Sequence, residues 1–419
     1  MKKPIKAGDN EKIVITGLGV VSSIGIGREA FWKALKNGDS GIKPVSLFDT
    51  TQVKSKLAGE IKDFAPEEIL GPKGLRNLDR TTRLVLCGAK LALEDASFNV
   101  TDENQSDVGV VLGSTMGSIW SISEFDKIAL REGQKGVNPA EFQNTVINSP
   151  ASQISIRFGI RGFNTTISSG FSSSLDAFGY AVNFLKAGRA KAILAGGVEE
   201  LCEQTFKGFY KLGFLSASRN GKEEISAPFD KQRNGAISGE GSCIFILETL
   251  EDAKNRGARI LANVEGFGSS FDSKNYRKYD LKGESLARAI GRALITSGIK
   301  SEDIDYVASS ANSTLDGDVS EYRAIIKALG ATNIPVSASK SMIGETFSAS
   351  GAFQAAAATF SLTENILPPT INFKTPDRRC PVNCIPNKAE GRAVRNVLIT
   401  VASPTGQNSA MILSKGERQ

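Results

Sequence analysis

An α/β fold made of two successive copies of one strand–turn–helix plan is what this sequence predicts, and three observations predict it. Short apolar strands alternate with helical stretches along the 419 residues, the pattern of sheets covered by helices. The order of these elements repeats after about Arg256. Each half also holds a helix that is apolar or small on every side, one around Leu175 and one around Ala355. A helix of that kind belongs between layers and not on a surface. The alternation further implies parallel sheets.

The first half begins with Lys12–Gly19, a strand ending in glycines, and Arg28–Lys36, a short helix. Gly17 and Gly19 hint at a dinucleotide-binding turn, but Ser22 holds the third glycine position and no helix starts there. Leu75–Ala96 has the apolar spacing of a long helix, and Val108–Leu112 is a buried type of strand leading into Gly113–Gly117. Glu141–Phe158 reads as a helix interrupted at Pro150. Ala192–Gly196 is a strand, Ala227–Gly241 a glycine-rich polar loop, Cys243–Leu247 a strand and Glu251–Arg256 a helix. In the second half Ile260–Gly266, Ile304–Ala308 and Ile334–Ala338 read as strands, Gly283–Ser297 and Ser348–Leu362 as helices, and Val397–Val401 as the closing strand. The repeat divides the chain into residues 1–255 and 256–419.

Between these elements, residues 162–186 form the stretch where chemistry would sit. Asn164–Ser168 has the β-branched content of a strand, and Ser168, Ser169 and Gly170 make a tight turn. Apolar residues at Leu175, Phe178, Val182 and Leu185 then mark a helix. A strand bent sharply into a helix exposes one side chain and aims free backbone N–H groups at it. Acyl-transferring enzymes place a Ser or Cys at such an elbow. Here the residue is Phe171, which has no nucleophilic atom. Ser172, Ser173 and Ser174 fall in the first helical turn, and the sequence shows no base paired with them.

Composition narrows the chemistry further. The chain has no histidine, so Ser–His–Asp triads, Cys–His pairs and imidazole metal ligands are excluded. Asp, Glu, Lys, Tyr or Cys would have to carry any proton transfer. Five scattered cysteines argue against a disulfide framework and for a reducing compartment. Cys380 and Cys384 have no further Cys pair or His to complete a zinc site, so no metal or cofactor is expected. A net charge of +6, dispersed along the chain, does not indicate nucleic acid. There is no apolar run of membrane-spanning length and no secretory leader, so a cytoplasmic protein is expected.

Nearly the whole chain resembles the β-ketoacyl-ACP synthases, the condensing enzymes of the thiolase fold. Val14–Ser22 resembles the opening strand, and Asn144–Asn148 with Phe158–Gly162 resembles the stretch before the nucleophile. Ala227–Asp230, Arg233–Gly235 and Gly239–Gly241 are similar to the family's PFD, RDG and GEG segments. Lys340–Gly344 resembles its KSMTG, and Pro368–Thr370 with Asn372 its late loop. The resemblance implies a layered αβαβα architecture, with two mixed sheets around buried helices. It also implies a cysteine nucleophile and two histidines, and all three are replaced. Phe171 stands at the nucleophile position, Ser310 at the first His within Ala308–Thr314, and Glu345 at the second. Asp318, Glu321 and Lys340 are retained, and Lys340 could pair with Glu321 or with Glu345. The closing loop Ser403–Asn408 keeps Gly406 and Asn408, but Pro404 has no N–H to give an oxyanion.

These exchanges point to a non-catalytic subunit resembling a chain-length factor. Such a chain would pair with an active ketosynthase, shape its acyl tunnel and possess a surface for acyl carrier protein. By resemblance Asn164, Thr165, Thr166 and Ile167 are the interface strand, and Thr115, Met116, Phe142 and Ile147 the tunnel walls. Two other classes stay open: an acyltransferase or decarboxylase working without Cys or His, and a homodimeric module that binds acyl groups or carrier protein.

Overall fold

The structure is a computed structural model that describes residues 11–219, 221–275, 277–330 and 333–416. Strand β1 (Ile13–Ser22) lies at its centre, buried at every position. Helices α1 (Arg28–Asn37) and α2 (Arg80–Asp95) follow, the latter capped by Asp79, whose carboxylate accepts from the Thr82 N–H. Next come β2 (Val108–Gly113), α3 (Ile119–Glu132) and α4 (Ser149–Phe158). The edge strand β3 (Asn164–Ile167), the elbow helix α5 (Ser173–Lys186), β4 (Ala192–Glu199), α6 (Glu203–Lys211) and β5 (Gly241–Thr249) complete the first half. The second half contains β6 (Ala262–Phe271), α7 (Glu284–Ser297), β7 (Tyr306–Ala308), α8 (Gly317–Leu329) and β8 (Pro335–Ser337). It closes with α9 (Ser350–Glu364), β9 (Asn383–Cys384), β10 (Asn396–Ala402) and β11 (Gln407–Lys415).

The main sheet runs β9-β8-β7-β10-β11-β6-β1-β5-β4-β2-β3. Its outer strands pair in parallel, but β1, β4, β5, β6, β10 and β11 pair antiparallel at the centre. The parallel sheets that the alternation alone implied are therefore corrected, and the mixed pairing that the resemblance implied is what forms. The reason is local: β10 returns directly into β11 across the turn at Ser403–Gly406, with no crossover helix. Val397–Val401 is thus not the last strand. The two halves meet where Ile13, Val14 and Ile15 pair with Val264, Asn263 and Ala262.

Helix α9 lies buried between the layers from Ser350 to Leu362, as its small residues require, whereas α5 buries one face and leaves Tyr180 51% exposed. Gly197 and Gly351 let the two elbows approach closely: a Cβ on Gly197 would come 2.6 Å from the Ser174 Cβ, and one on Gly351 would come 2.9 Å from the Leu175 Cβ. The Ser174 hydroxyl accepts from the Ala352 N–H at 3.1 Å, which ties one elbow helix to the other. Pro150 interrupts no helix; it occupies the first turn of α4, where a missing N–H costs nothing, and a 3₁₀ segment Pro139–Thr145 precedes it.

Candidate functional site

At the elbow, Gly170 turns the chain in the left-handed region (φ 72°), and the next residue points inward. Phe171 is 3% exposed. Its ring meets those of Phe347, Phe214 and Phe209 edge-on, with centroids 5.2, 5.7 and 6.2 Å away. Phe209 and Phe347 stack on each other at 4.6 Å. Rings in these arrangements attract beyond their area burial, so the place where a nucleophile would stand is packed with hydrocarbon.

Behind the rings lies a closed polar network. The Lys340 Nζ sits 2.8 Å from the Glu345 Oε2 and 3.0 Å from the Ser310 carbonyl. The same Glu345 oxygen accepts from Asn312 at 2.8 Å, while Oε1 accepts from the Phe347 N–H at 2.9 Å and from the Ser350 hydroxyl. Glu345 is 1% exposed and all its lone pairs are engaged, as a buried charge requires. Asn312 also donates to the Tyr279 hydroxyl at 3.2 Å. Burial, and then the Glu345 charge, push that phenol above its ordinary range. The Ser310 hydroxyl accepts from the Ala402 N–H at 3.0 Å.

Of the two pairings open to Lys340, the structure forms the one with Glu345. Glu321 instead accepts from the Ser310 N–H at 2.7 Å and from the Ser309 hydroxyl at 2.8 Å, and burial raises its carboxyl. Asp318 accepts from the Phe229 and Asn312 N–H groups and lies 3.3 Å from Arg233. Burial pushes its carboxyl up to about 6 against that pull.

One feature was missed. The Ser172 hydroxyl donates to the Asp176 Oδ2 at 2.9 Å, and the Ser169 and Ser409 hydroxyls donate to the same carboxylate. The elbow serines therefore do have a carboxylate beside them. The i,i+4 spacing of Ser172 and Asp176 is the signal that could have found it. Burial raises Asp176 and three hydroxyls oppose the rise. The cysteines offer no substitute nucleophile, since burial lifts the Cys202 thiol to about 11 and Cys243 well above its usual value.

The other candidates divide by location. The Thr115 hydroxyl donates to the Gly170 carbonyl at 2.6 Å, and the Met116 N–H donates to Glu199 at 3.1 Å, so both lie beside the elbow. Phe142 and Ile147 lie outside, 59% and 40% exposed. Thr165, Thr166 and Ile167 are half-buried, and Asn164 donates to the Ala151 carbonyl at 2.8 Å. Their strand pairs with β2 alone among the described residues.

Comparison with known proteins agrees with this geometry. Residues 10–253 match the family described as Beta-ketoacyl synthase, N-terminal domain, and residues 261–374 match its C-terminal domain. The chain is 32% identical to a 3-oxoacyl-[acyl-carrier-protein] synthase 2 of Coxiella burnetii, with 97% of this chain and 99% of that one aligned. It is also 32% identical to a putative polyketide beta-ketoacyl synthase 1 of Streptomyces halstedii, over 98% and 99%. Among solved structures, the ishigamide ketosynthase/chain length factor superposes with a TM-score of 0.90 at 29% identity, over 97% of this chain and all of that one. The fold and site thus define a ketosynthase-like protein with a degenerate reaction centre. The chain belongs to the β-ketoacyl synthase family.

Proposed function

We propose that this protein is a non-catalytic ketosynthase-like subunit that pairs with an active β-ketoacyl-ACP synthase and shapes the acyl tunnel of the pair. The observation that carries this reading is the replaced reaction centre. Phe171 fills the nucleophile position, and Lys340, Asn312 and Ser350 consume Glu345, so neither position is left to take an acyl chain or steady an oxyanion. The likeness to a ketosynthase/chain length factor structure favours the same reading. On this reading the chain consists of two thiolase-like halves, 1–255 and 256–419, with the open edge of Asn164–Ile167 taking the partner and Thr115, Met116, Phe142 and Ile147 walling the tunnel.

A carrier protein is the second proposed partner. A cleft of about 340 Å³, lined by Phe271, by Lys274, Lys282 and Arg288 and by Asp272, Asp280 and Glu284, adjoins the loop Ser403–Gln407. That loop touches the elbow, where a Cβ on Gly170 would come 3.0 Å from the Thr405 hydroxyl. The structure of a type II polyketide acyl-carrier protein in complex with its ketosynthase superposes with a TM-score of 0.88, at 28% identity.

Co-expression with a ketosynthase encoded nearby, followed by pull-down and intact-mass measurement after acyl loading, tests the reading. A one-to-one complex in which only the partner gains mass is expected. Phe171→Cys alone should restore no condensation, because Ser310 and Glu345 still stand in place of both histidines. A homodimer that condenses acyl and malonyl carrier proteins unaided, or an acyl adduct on Ser169 or Ser172, overturns it.

A further inference from the structure

Four segments converge at the head of α2. The Thr81 hydroxyl donates to the Gly117 carbonyl at 3.2 Å, which holds the start of α3 against that helix. The Trp120 N–H donates to Glu200, just past β4, at 3.1 Å. Asn144, in the 3₁₀ segment Pro139–Thr145, donates to the Asn77 carbonyl at 2.8 Å, two residues before the Asp79 cap. Asp79 faces Glu200, and their charges oppose each other. Among the described residues, the Asp79 Oδ2, the Ser118 hydroxyl and the Asn144 Oδ1 are buried with no hydrogen-bond partner. Asp79, Ser118 and Asn144 are 7%, 1% and 6% exposed, and Glu200 is 3% exposed. Buried polar atoms are ordinarily partnered. Three orphaned oxygens beside a second carboxyl call for an occupant that bonds to oxygen.

The occupant also has to be positive. Two buried carboxylates side by side are strongly opposed unless a cation joins them. Arg80 feels the Glu200 charge, but its guanidinium is taken up by Glu240 at 2.6 and 2.7 Å and by the Ile61 carbonyl at 3.1 Å. Neither Asp79 nor Glu200 forms an ion pair among the described residues.

We propose that Asp79, Ser118, Asn144 and Glu200 form a calcium-binding site that staples the start of α3 and the 3₁₀ segment to α2 and β4. The ligand set decides the metal. All four side chains offer oxygen, which selects hard cations over zinc, copper or iron. The absence of histidine excludes an imidazole site and leaves an all-oxygen one open. Two carboxylates match a double positive charge. Hydroxyl and amide oxygens beside them suit calcium, whose flexible shell takes about six to eight oxygens with water completing it; magnesium demands a stricter octahedron. The one soft group near Glu200 is spent, since the Cys202 sulfur bonds to the Thr205 hydroxyl at 3.3 Å. Among the described residues no three Asp, Glu or Cys side chains gather to hold a metal, so the site depends on its neutral oxygens. In the ion-free chain Glu200 meets the same opposition by keeping a proton. The staple lies within this chain, so its failure leaves the partner reading standing.

Terbium takes calcium's place in oxygen sites and emits when a tryptophan beside it is excited, and Trp120 bonds to Glu200 through its own N–H. Trp32 is the chain's other tryptophan. In the full chain carrying Trp32→Phe and stripped with EGTA, terbium emission excited through Trp120 is expected to saturate at one ion per chain and to be displaced by calcium. Glu200→Gln should weaken terbium binding by about tenfold or more, because affinity follows the ligand charge. In the unsubstituted chain, calcium at about a hundred times its dissociation constant should raise the melting temperature by about 3 °C. No sensitised emission, emission that survives Glu200→Gln, or a melting temperature that ignores calcium would overturn the proposal and leave the two carboxyls sharing a proton.

Discussion

A carboxylate as deeply buried as that of Glu345 is tolerable only because the Lys340 ammonium 2.8 Å away neutralises it. Removing one partner of a buried pair strands the other charge, which typically costs about 3–5 kcal/mol. Lys340→Met should therefore lose about that much stability in urea unfolding, and adding Glu345→Gln should recover most of it. A single variant that unfolds within 1 kcal/mol of the parent would refute the pairing. Phe171 is legible in the same physical terms. Truncating it to Ala empties a site walled by three rings and should cost about 3–5 kcal/mol. Phe171, Ser310 and Glu345 could be singled out in the sequence because the stretches around them resemble the family's motifs. The partner of Lys340 could not, since two acids were equally available in sequence and only the backbone selects between them. The serine–Asp176 cluster escaped for another reason: Ser409 arrives from a strand more than two hundred residues away.

At the scale of elements, apolar strands and most helices were legible, mixed-composition ones such as Arg28–Asn37 and Glu284–Ser297 included, but three helices were not. Glu203–Lys211 and Gly317–Leu329 alternate charge with apolar residues on short stretches, and Ile119–Glu132 has no core face to impose a stripe. The edge strand was readable, and its unused side carries a prediction. The Phe163 and Ile167 carbonyls accept from Val110 and Ser114, so the N–H groups of the intervening even-numbered residues point to the open edge. Thr166→Pro removes an outward N–H and spares the inner ladder. It should leave the fold intact while weakening association with the partner subunit at least tenfold, as measured by titration calorimetry. Unchanged affinity would remove the strand from the interface.

Across the whole molecule, the buried acids set how stability depends on pH. Glu199, Glu200 and Asp318 are held up to about 7, 8 and 6 in the folded chain, against ordinary values of 4.5, 4.5 and 3.8. A raised carboxyl binds more protons folded than unfolded, so its contribution is intact below the ordinary value and is lost as pH climbs through the folded one. Asp377 has the opposite sign. Burial alone would raise it, but hydrogen bonds from Arg379 and Arg233 outweigh that and hold it below the usual range. Its contribution is lost as pH falls below about 4. The melting temperature should therefore peak at about pH 4, decline on the acid side, and fall from about pH 4.5 to about pH 8, most steeply below about pH 6. Each buried group can contribute up to about 1.4 kcal/mol per pH unit within its window. Glu200→Gln should flatten the alkaline limb and leave the acid limb unchanged, because the amide has no proton to lose and Asp377 lies elsewhere. A thermal profile that rises between pH 6 and pH 8 would show that these acids are paired or hydrated in solution, and a steep alkaline limb surviving Glu200→Gln would move the effect to Glu199 and Asp318.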